Sequence, residues 1–77
     1  MELKPNHIYT NGRMPYIILD QSTKVFLPGL DRMGDIDPSS FVTQIRDIDH
    51  QAAKLVFTPE EFAEIIALAI KIREEST

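Results

Sequence analysis

The clearest structural signal in the chain is LVFTPEEFAEIIALAIKIREE, which begins at Leu55. Thr58 is a favoured N-cap residue, and Pro59 suits the first position of a helix. Glu61, three residues after the cap, completes a capping box, and Phe62 is placed to pack against the aromatic residue just before the cap. These signals predict a helix that begins at Pro59.

The apolar side chains of this helix cover an unusually wide arc. At about 100° per residue they fill roughly 200°, whereas a helix that rests on one small sheet needs a stripe of about 100°. The surplus face is formed by Ala63, Ile66, Ala67 and Ile70. We expect a second copy of the chain or another protein to cover it; the alternative is that another segment of the same chain does so.

The first half of the chain has the composition of short strands separated by turns. Asn11-Gly12 lies between apolar runs and predicts a hairpin with a type I′ turn. The run from Tyr16 to Leu19 is apolar at every position, which is typical of a strand covered on both faces.

The segment from Phe41 to Asp49 fits two structures. As a helix, it would have Asp37 as N-cap and Pro38 at the first position. As a strand, it draws support from the β-branched residues Val42, Thr43 and Ile45. We predict a strand.

Together these patterns predict a single α+β domain: a small antiparallel sheet of about five strands with one C-terminal helix. A partly open SH3-like barrel fits the strand count. The alternative is three strands plus two helices. The predicted elements are strands over residues 7–11, 15–20, 23–27, 41–48 and 53–58, a connector over 29–40 and a helix over 59–75.

The amino-acid composition excludes several kinds of functional site. The 77 residues include no cysteine, which excludes disulfides, thiolate metal sites and a cysteine nucleophile. A chain this short buries only about 60% of its surface on folding, so a second copy would help its stability. No membrane span or targeting segment is recognisable, and the net charge of −4 includes no basic cluster. We therefore expect a cytoplasmic protein with neither a membrane nor a nucleic-acid partner.

The tripeptide Asp-Ile-Asp occurs twice in GDIDPSSFVTQIRDIDH. A calcium loop that began at Asp35 would need glycine at position 6 and glutamate at position 12, where Ser40 and Arg46 stand. We interpret these acids as turn caps that bind nearby backbone N–H groups. A metal-site alternative would use Asp35, Asp37, Asp47, Asp49 and His50.

These observations favour a non-enzymatic protein-interaction module that forms a homodimer through its C-terminal helix. Small accessory or inhibitory proteins of bacteria and phages act in this way by binding a target protein. The predicted partner-binding residues are Ala63, Ile66, Ala67 and Ile70 on the helix, and Asp31, Asp35 and Asp37 in the connector.

Two other functions remain open. One is a nucleic-acid-associated small barrel that uses a strand face with Arg13, Lys24 and Arg32. The other is a small metal-dependent enzyme that acts as an oligomer. For the favoured interaction module we expect no catalytic residue, metal or cofactor.

Overall fold

The computed structural model describes residues 3–30, 37–45 and 53–75. Within them the chain forms five strands, a short 3-10 turn and one C-terminal helix, which confirms the predicted α+β class. The strands are β1 (Ile8–Thr10), β2 (Pro15–Ile18), β3 (Thr23–Phe26), β4 (Val42–Ile45) and β5 (Lys54–Phe57), and the helix is α1 (Ala63–Glu75).

The strands form one antiparallel sheet in the order β4-β3-β2-β1-β5. The first four are neighbours in chain order, while β5 pairs with β1 on the opposite side from β2. In the part of the chain that the structure describes, β4 and β5 are edge strands that do not pair with each other, so the sheet is open. An SH3-like barrel stays a prediction.

The turn between β1 and β2 differs from the predicted one. It has four residues, and the side-chain oxygen of Asn11 accepts the backbone N–H groups of Arg13 and Met14 at 2.9 and 3.1 Å. Of these four residues Gly12 alone has a positive φ, 92°, whereas a type I′ turn needs two. The type I′ prediction is wrong because the Asn11 side chain itself satisfies the backbone groups of a wider turn.

The main hydrophobic core lies between α1 and one face of the sheet. It is built from inward-facing strand residues, from Phe41 just before β4, and from one side of the helix. Its buried members are Ile8, Ile17, Leu19, Val25, Leu27, Phe41, Ile65, Ile66 and Ala69.

The opposite face of the sheet is covered as well. Leu3 is buried in a second cluster with Tyr9, Tyr16 and Ile18. The backbone N–H of Lys4 donates to the Tyr9 hydroxyl at 2.9 Å, which fixes the N-terminal segment against this face. The run from Tyr16 to Leu19 is buried throughout, so the prediction of a strand covered on both faces is confirmed.

The cap signal at Asp37 is real but opens a 3-10 turn, not an α-helix. The Asp37 carboxylate accepts the N–H of Ser39 at 3.1 Å, and the turn ends after Pro38–Ser40. The chain then continues as β4, paired with β3, because its β-branched residues favour a strand. The predicted strand is therefore present over Val42–Ile45, and its last three predicted residues lie outside the described residues.

The regular helix begins at Ala63, four residues after the predicted start at Pro59. The Glu61 carboxylate accepts both the N–H and the hydroxyl of Thr58, at 3.0 and 3.1 Å. The Thr58 carbonyl accepts the N–H groups of Glu61 and Phe62 at 3.1 and 3.3 Å, which closes a separate turn before the helix. The Phe57 and Phe62 rings, with centroids 4.0 Å apart, form the predicted hydrophobic contact across it.

Candidate interaction surface

One side of α1 faces the core and the other faces solvent. Among its exposed residues, Ala63 and Ala67 stand one turn apart, and Glu64 and Lys71 flank them. We call these four residues the outer face of α1. It is the part of the helix that its own domain leaves uncovered, so it is the first candidate for contact with a partner.

The four helix residues predicted to bind a partner differ in their exposure to solvent. Ala63 and Ala67 are exposed, Ile70 is half-buried and packs against the core, and Ile66 is 8% exposed inside the core. Ile66 is therefore a core residue that offers little surface to a partner. The reason is that its side chain belongs to one buried cluster with Phe41 and the inward-facing strand residues.

The connector acids show one clear role. Asp37 is exposed, and its Oδ1 accepts the N–H and the hydroxyl of Ser39 at 3.1 and 2.7 Å. This bond confirms the turn-cap interpretation at Asp37. Asp31 and Asp35, the other two predicted partner contacts in the connector, lie outside the described residues.

An open hollow of about 550 Å³ lies beside the start of α1. Its floor is apolar and its margin carries carboxylates. The lining residues are Glu60, Glu61, Phe62, Ala63, Glu64, Ile65 and Leu68. This site was not among the predicted ones, although acids and apolar residues are mixed in PEEFAEI at its lining.

Large apolar side chains are also exposed at both edges of the sheet. Val42 on β4 is 51% exposed, and Leu55 and Val56 on β5 are 53% and 37% exposed. Cross-strand pairing connects the two edges in one row: Leu55, Tyr9, Tyr16, Phe26 and Val42. The exposure of these residues was not predicted, because it follows from which strands occupy the edges of the sheet.

The nucleic-acid alternative loses support at Lys24. This side chain is 9% exposed, and its Nζ lies 5.4 Å from the ring centre of Tyr16 and 5.0 Å from that of Phe26. Its charge is thus held against the aromatic rings of its own domain. Burial, with a smaller contribution from Tyr9, raises the pKa of the Tyr16 phenol. Arg13 is exposed in the β1–β2 turn, and Arg32 lies outside the described residues.

The metal-enzyme alternative concerns residues that the structure mostly leaves undescribed: Asp35, Asp47, Asp49 and His50. Within residues 3–30, 37–45 and 53–75, no three His, Cys, Asp or Glu side chains are grouped so that they could hold a metal ion. In the same ranges, no helix has the length and apolarity that a bilayer span requires.

Comparisons of the chain with protein-family models, with curated proteins and with solved structures found no match. The class of protein that emerges is a small α+β domain with an open five-stranded sheet and one helix. On its surface, the outer face of α1 and the adjacent hollow are two candidate sites for binding a partner.

Proposed function

We propose that this chain is a non-enzymatic protein-interaction module that acts in the cytoplasm as a small accessory or inhibitory protein. It binds a target protein and pairs with a second copy of itself through the outer face of α1. The observation that supports the pairing is the exposed position of Ala63 and Ala67 on a helix whose other apolar residues are buried or half-buried.

The two alanines allow close approach of another helix. They lie four residues apart and therefore on one line along the helix. Side chains of this size let two helix axes come within about 8 Å, the short end of the range seen in proteins. The half-buried Ile70 borders the same line and adds apolar surface to the contact.

The charges on the outer face favour one orientation. Glu64 and Lys71 are seven residues apart on the same flank, and both are exposed. In an antiparallel pair with its two-fold axis near Ala67, Glu64 of one protomer meets the partner's Lys71, and the symmetry repeats this contact. In a parallel pair the two-fold axis runs along the helices and places Glu64 and the partner's Lys71 on opposite flanks, so this contact is absent.

The small contact energies and the small apolar area indicate a weak dimer. Exposed ion pairs contribute about 0.2–1 kcal/mol each, so the two Glu64–Lys71 contacts select the orientation more than they drive association. The apolar area on offer is small, because the core has already taken up Ile66. We expect an equilibrium between monomer and dimer that shifts with protein concentration.

The test is sedimentation velocity over a range of concentrations for the wild type and for Ala67→Glu. The wild type should gain mass with concentration, and Ala67→Glu should stay monomeric while folding normally, because this position is exposed. Gln21→Glu, in the exposed turn between β2 and β3, adds the same charge elsewhere and should leave the dimer intact. A wild type that is monomeric at every concentration would overturn the self-association.

Charge exchange tests the orientation. Lys71→Glu and Glu64→Lys should each weaken the dimer, because each places like charges opposite each other. The double variant should regain most of the lost association in an antiparallel pair. If the double variant stays as weak as the single ones, the antiparallel arrangement is wrong.

A further inference from the structure

We infer that the hollow beside the start of α1 binds a basic, amphipathic segment of the target protein. The inference rests on the proposed interaction function, because it supplies the chemistry of the target that the function leaves open. The hollow is a different site from the outer face of α1, although Ala63 and Glu64 stand on the boundary between them.

The floor of the hollow offers apolar surface in a fixed shape. Phe62 and Leu68 are half-buried and Ile65 is buried. The Phe57 ring, 4.0 Å from that of Phe62, holds this wall in place, so little order has to be gained on binding. A volume of about 550 Å³ is within the range of about 300–1,000 Å³ that is typical of ligand pockets.

The margin of the hollow is acidic. Glu60 and Glu64 are exposed there, while Glu61 is bonded to Thr58 and serves mainly to hold the turn. The helix start alone would attract anions through a partial charge of about +0.5, but three carboxylates outweigh it. The net charge of −4 adds long-range attraction for a cationic partner.

These two properties together define the occupant. An apolar floor takes up an aliphatic or aromatic side chain, and the acidic margin pairs with lysine or arginine. Arginine and lysine also lay their aliphatic stems along apolar surface while their charged ends stay in water. A simple cation would not use the floor, and a phosphate-rich ligand would be repelled by Glu60 and Glu64.

The test uses labelled synthetic peptides and fluorescence anisotropy. A peptide of alternating leucine and arginine should bind, its counterpart with glutamate in place of arginine should not, and a peptide of arginine alone should bind more weakly than the first. Equal affinity for the leucine–arginine and arginine-only peptides would show that the apolar floor takes no part. An absence of binding by the leucine–arginine peptide would overturn the inference.

Paired charge variants locate the site. Glu60→Gln with Glu64→Gln should weaken binding of the leucine–arginine peptide about three- to tenfold, as expected for two exposed ion pairs. Glu74→Gln with Glu75→Gln removes the same charge from the other end of α1 and should leave the affinity nearly unchanged. An equal loss in both double variants would mean general charge attraction, and the hollow would then not be the site.

The floor is tested by Leu68→Gln, with Leu68→Met as the conservative control and circular dichroism as the check on folding. Leu68→Gln should weaken the peptide, while Leu68→Met should bind it as the wild type does. Ala67→Glu separates the two proposals, because it removes self-association but should still bind the peptide. We expect a Glu60→Gln/Leu68→Gln variant to lose peptide binding but still to dimerise. If this variant still binds the peptide, the hollow is not the binding site, and the proposal of self-association is unaffected.

Discussion

Arg73 in the last part of α1 forms an ion pair with Asp20 in the turn between β2 and β3, with 2.9 Å between Nη1 and Oδ2. The other oxygen of Asp20 accepts the N–H and the hydroxyl of Ser22, at 2.8 and 3.0 Å. One carboxylate therefore shapes its own turn and also holds the end of the helix against the sheet.

Asp20→Asn should lower the free energy of unfolding by about 0.5–1 kcal/mol at neutral pH, the scale of a partly exposed ion pair. The amide oxygen still accepts the Ser22 N–H, so the change removes mainly the charge that faces Arg73. Urea denaturation measures the loss. Asp37→Asn is the matched control, because Asp37 makes the same pair of bonds to Ser39. A loss as large as that of Asp20→Asn in this control would contradict the role of the ion pair.

The contribution of Asp20 should also depend on pH. The backbone N–H of Ser22 is the main cause that lowers the pKa of Asp20 from its ordinary value of 3.8, against an opposing effect of burial. Because the folded-state pKa is the lower one, the stabilisation is complete above about pH 4 and is lost as the pH falls through the folded-state pKa. Denaturation curves of the wild type and Asp20→Asn should therefore converge at acid pH. A constant difference down to pH values below that pKa would disprove this linkage.

Two leucines that differ in burial can be compared to test the extent of the hydrophobic core. Leu27→Ala removes a fully buried side chain and should cost about 2–5 kcal/mol, which is enough to unfold much of so small a domain. Leu55→Ala makes the same chemical change at a residue that is 53% exposed, and should cost about 0.5 kcal/mol or less. Thermal denaturation followed by circular dichroism compares them. Similar losses in the two variants would be inconsistent with the burial described for β5.

Gly12→Ala tests the turn between β1 and β2. Nothing crowds the position where a side chain would stand, but its φ of 92° is strained for any residue with a Cβ. We expect a loss of about 1–2 kcal/mol in urea denaturation, from backbone strain alone. Gly29→Ala, at a φ of 82° and equally open, should show a loss of similar size. A Gly12→Ala variant as stable as the wild type would show that this φ is not required.

Glu61→Ala should cost about 1 kcal/mol, because it removes the acceptor of both Thr58 bonds at the start of the helical region. Glu61→Gln keeps an acceptor oxygen and should lose less. Glu75→Ala, at the far end of α1, is the control and should have little effect. Equal losses for the alanine and glutamine variants of Glu61 would point to the charge and not to the bonds.

The parts of the fold that were predictable from sequence depend on neighbours in the chain. The capping residues Thr58 and Glu61 and the spacing of apolar residues located the helical region, and its buried side follows that spacing. The strand character of Val42–Ile45 was likewise visible in β-branched residues. Only the details of geometry differ, because a side chain such as Asn11 can satisfy the backbone of a wider turn.

The remaining features depend on contacts between distant segments. The pairing of β5 with β1 decides that Leu55 lies at an edge, and nothing in its local sequence carries that information. The position of Ile66 depends on how much of the helix the sheet and Phe41 cover together. The hollow depends on Phe62 and Leu68 being left half-covered, which is again a property of packing.

Because β2 is covered on both faces, few of its residues can be exchanged freely as the sequence evolves. Substitutions in the central strand disturb a packed layer whichever way the side chain points, so most of the freedom to change lies in the turns and along the solvent side of α1. For the interaction function proposed above, a few exchanges there would change the partner without any need to repack the interior.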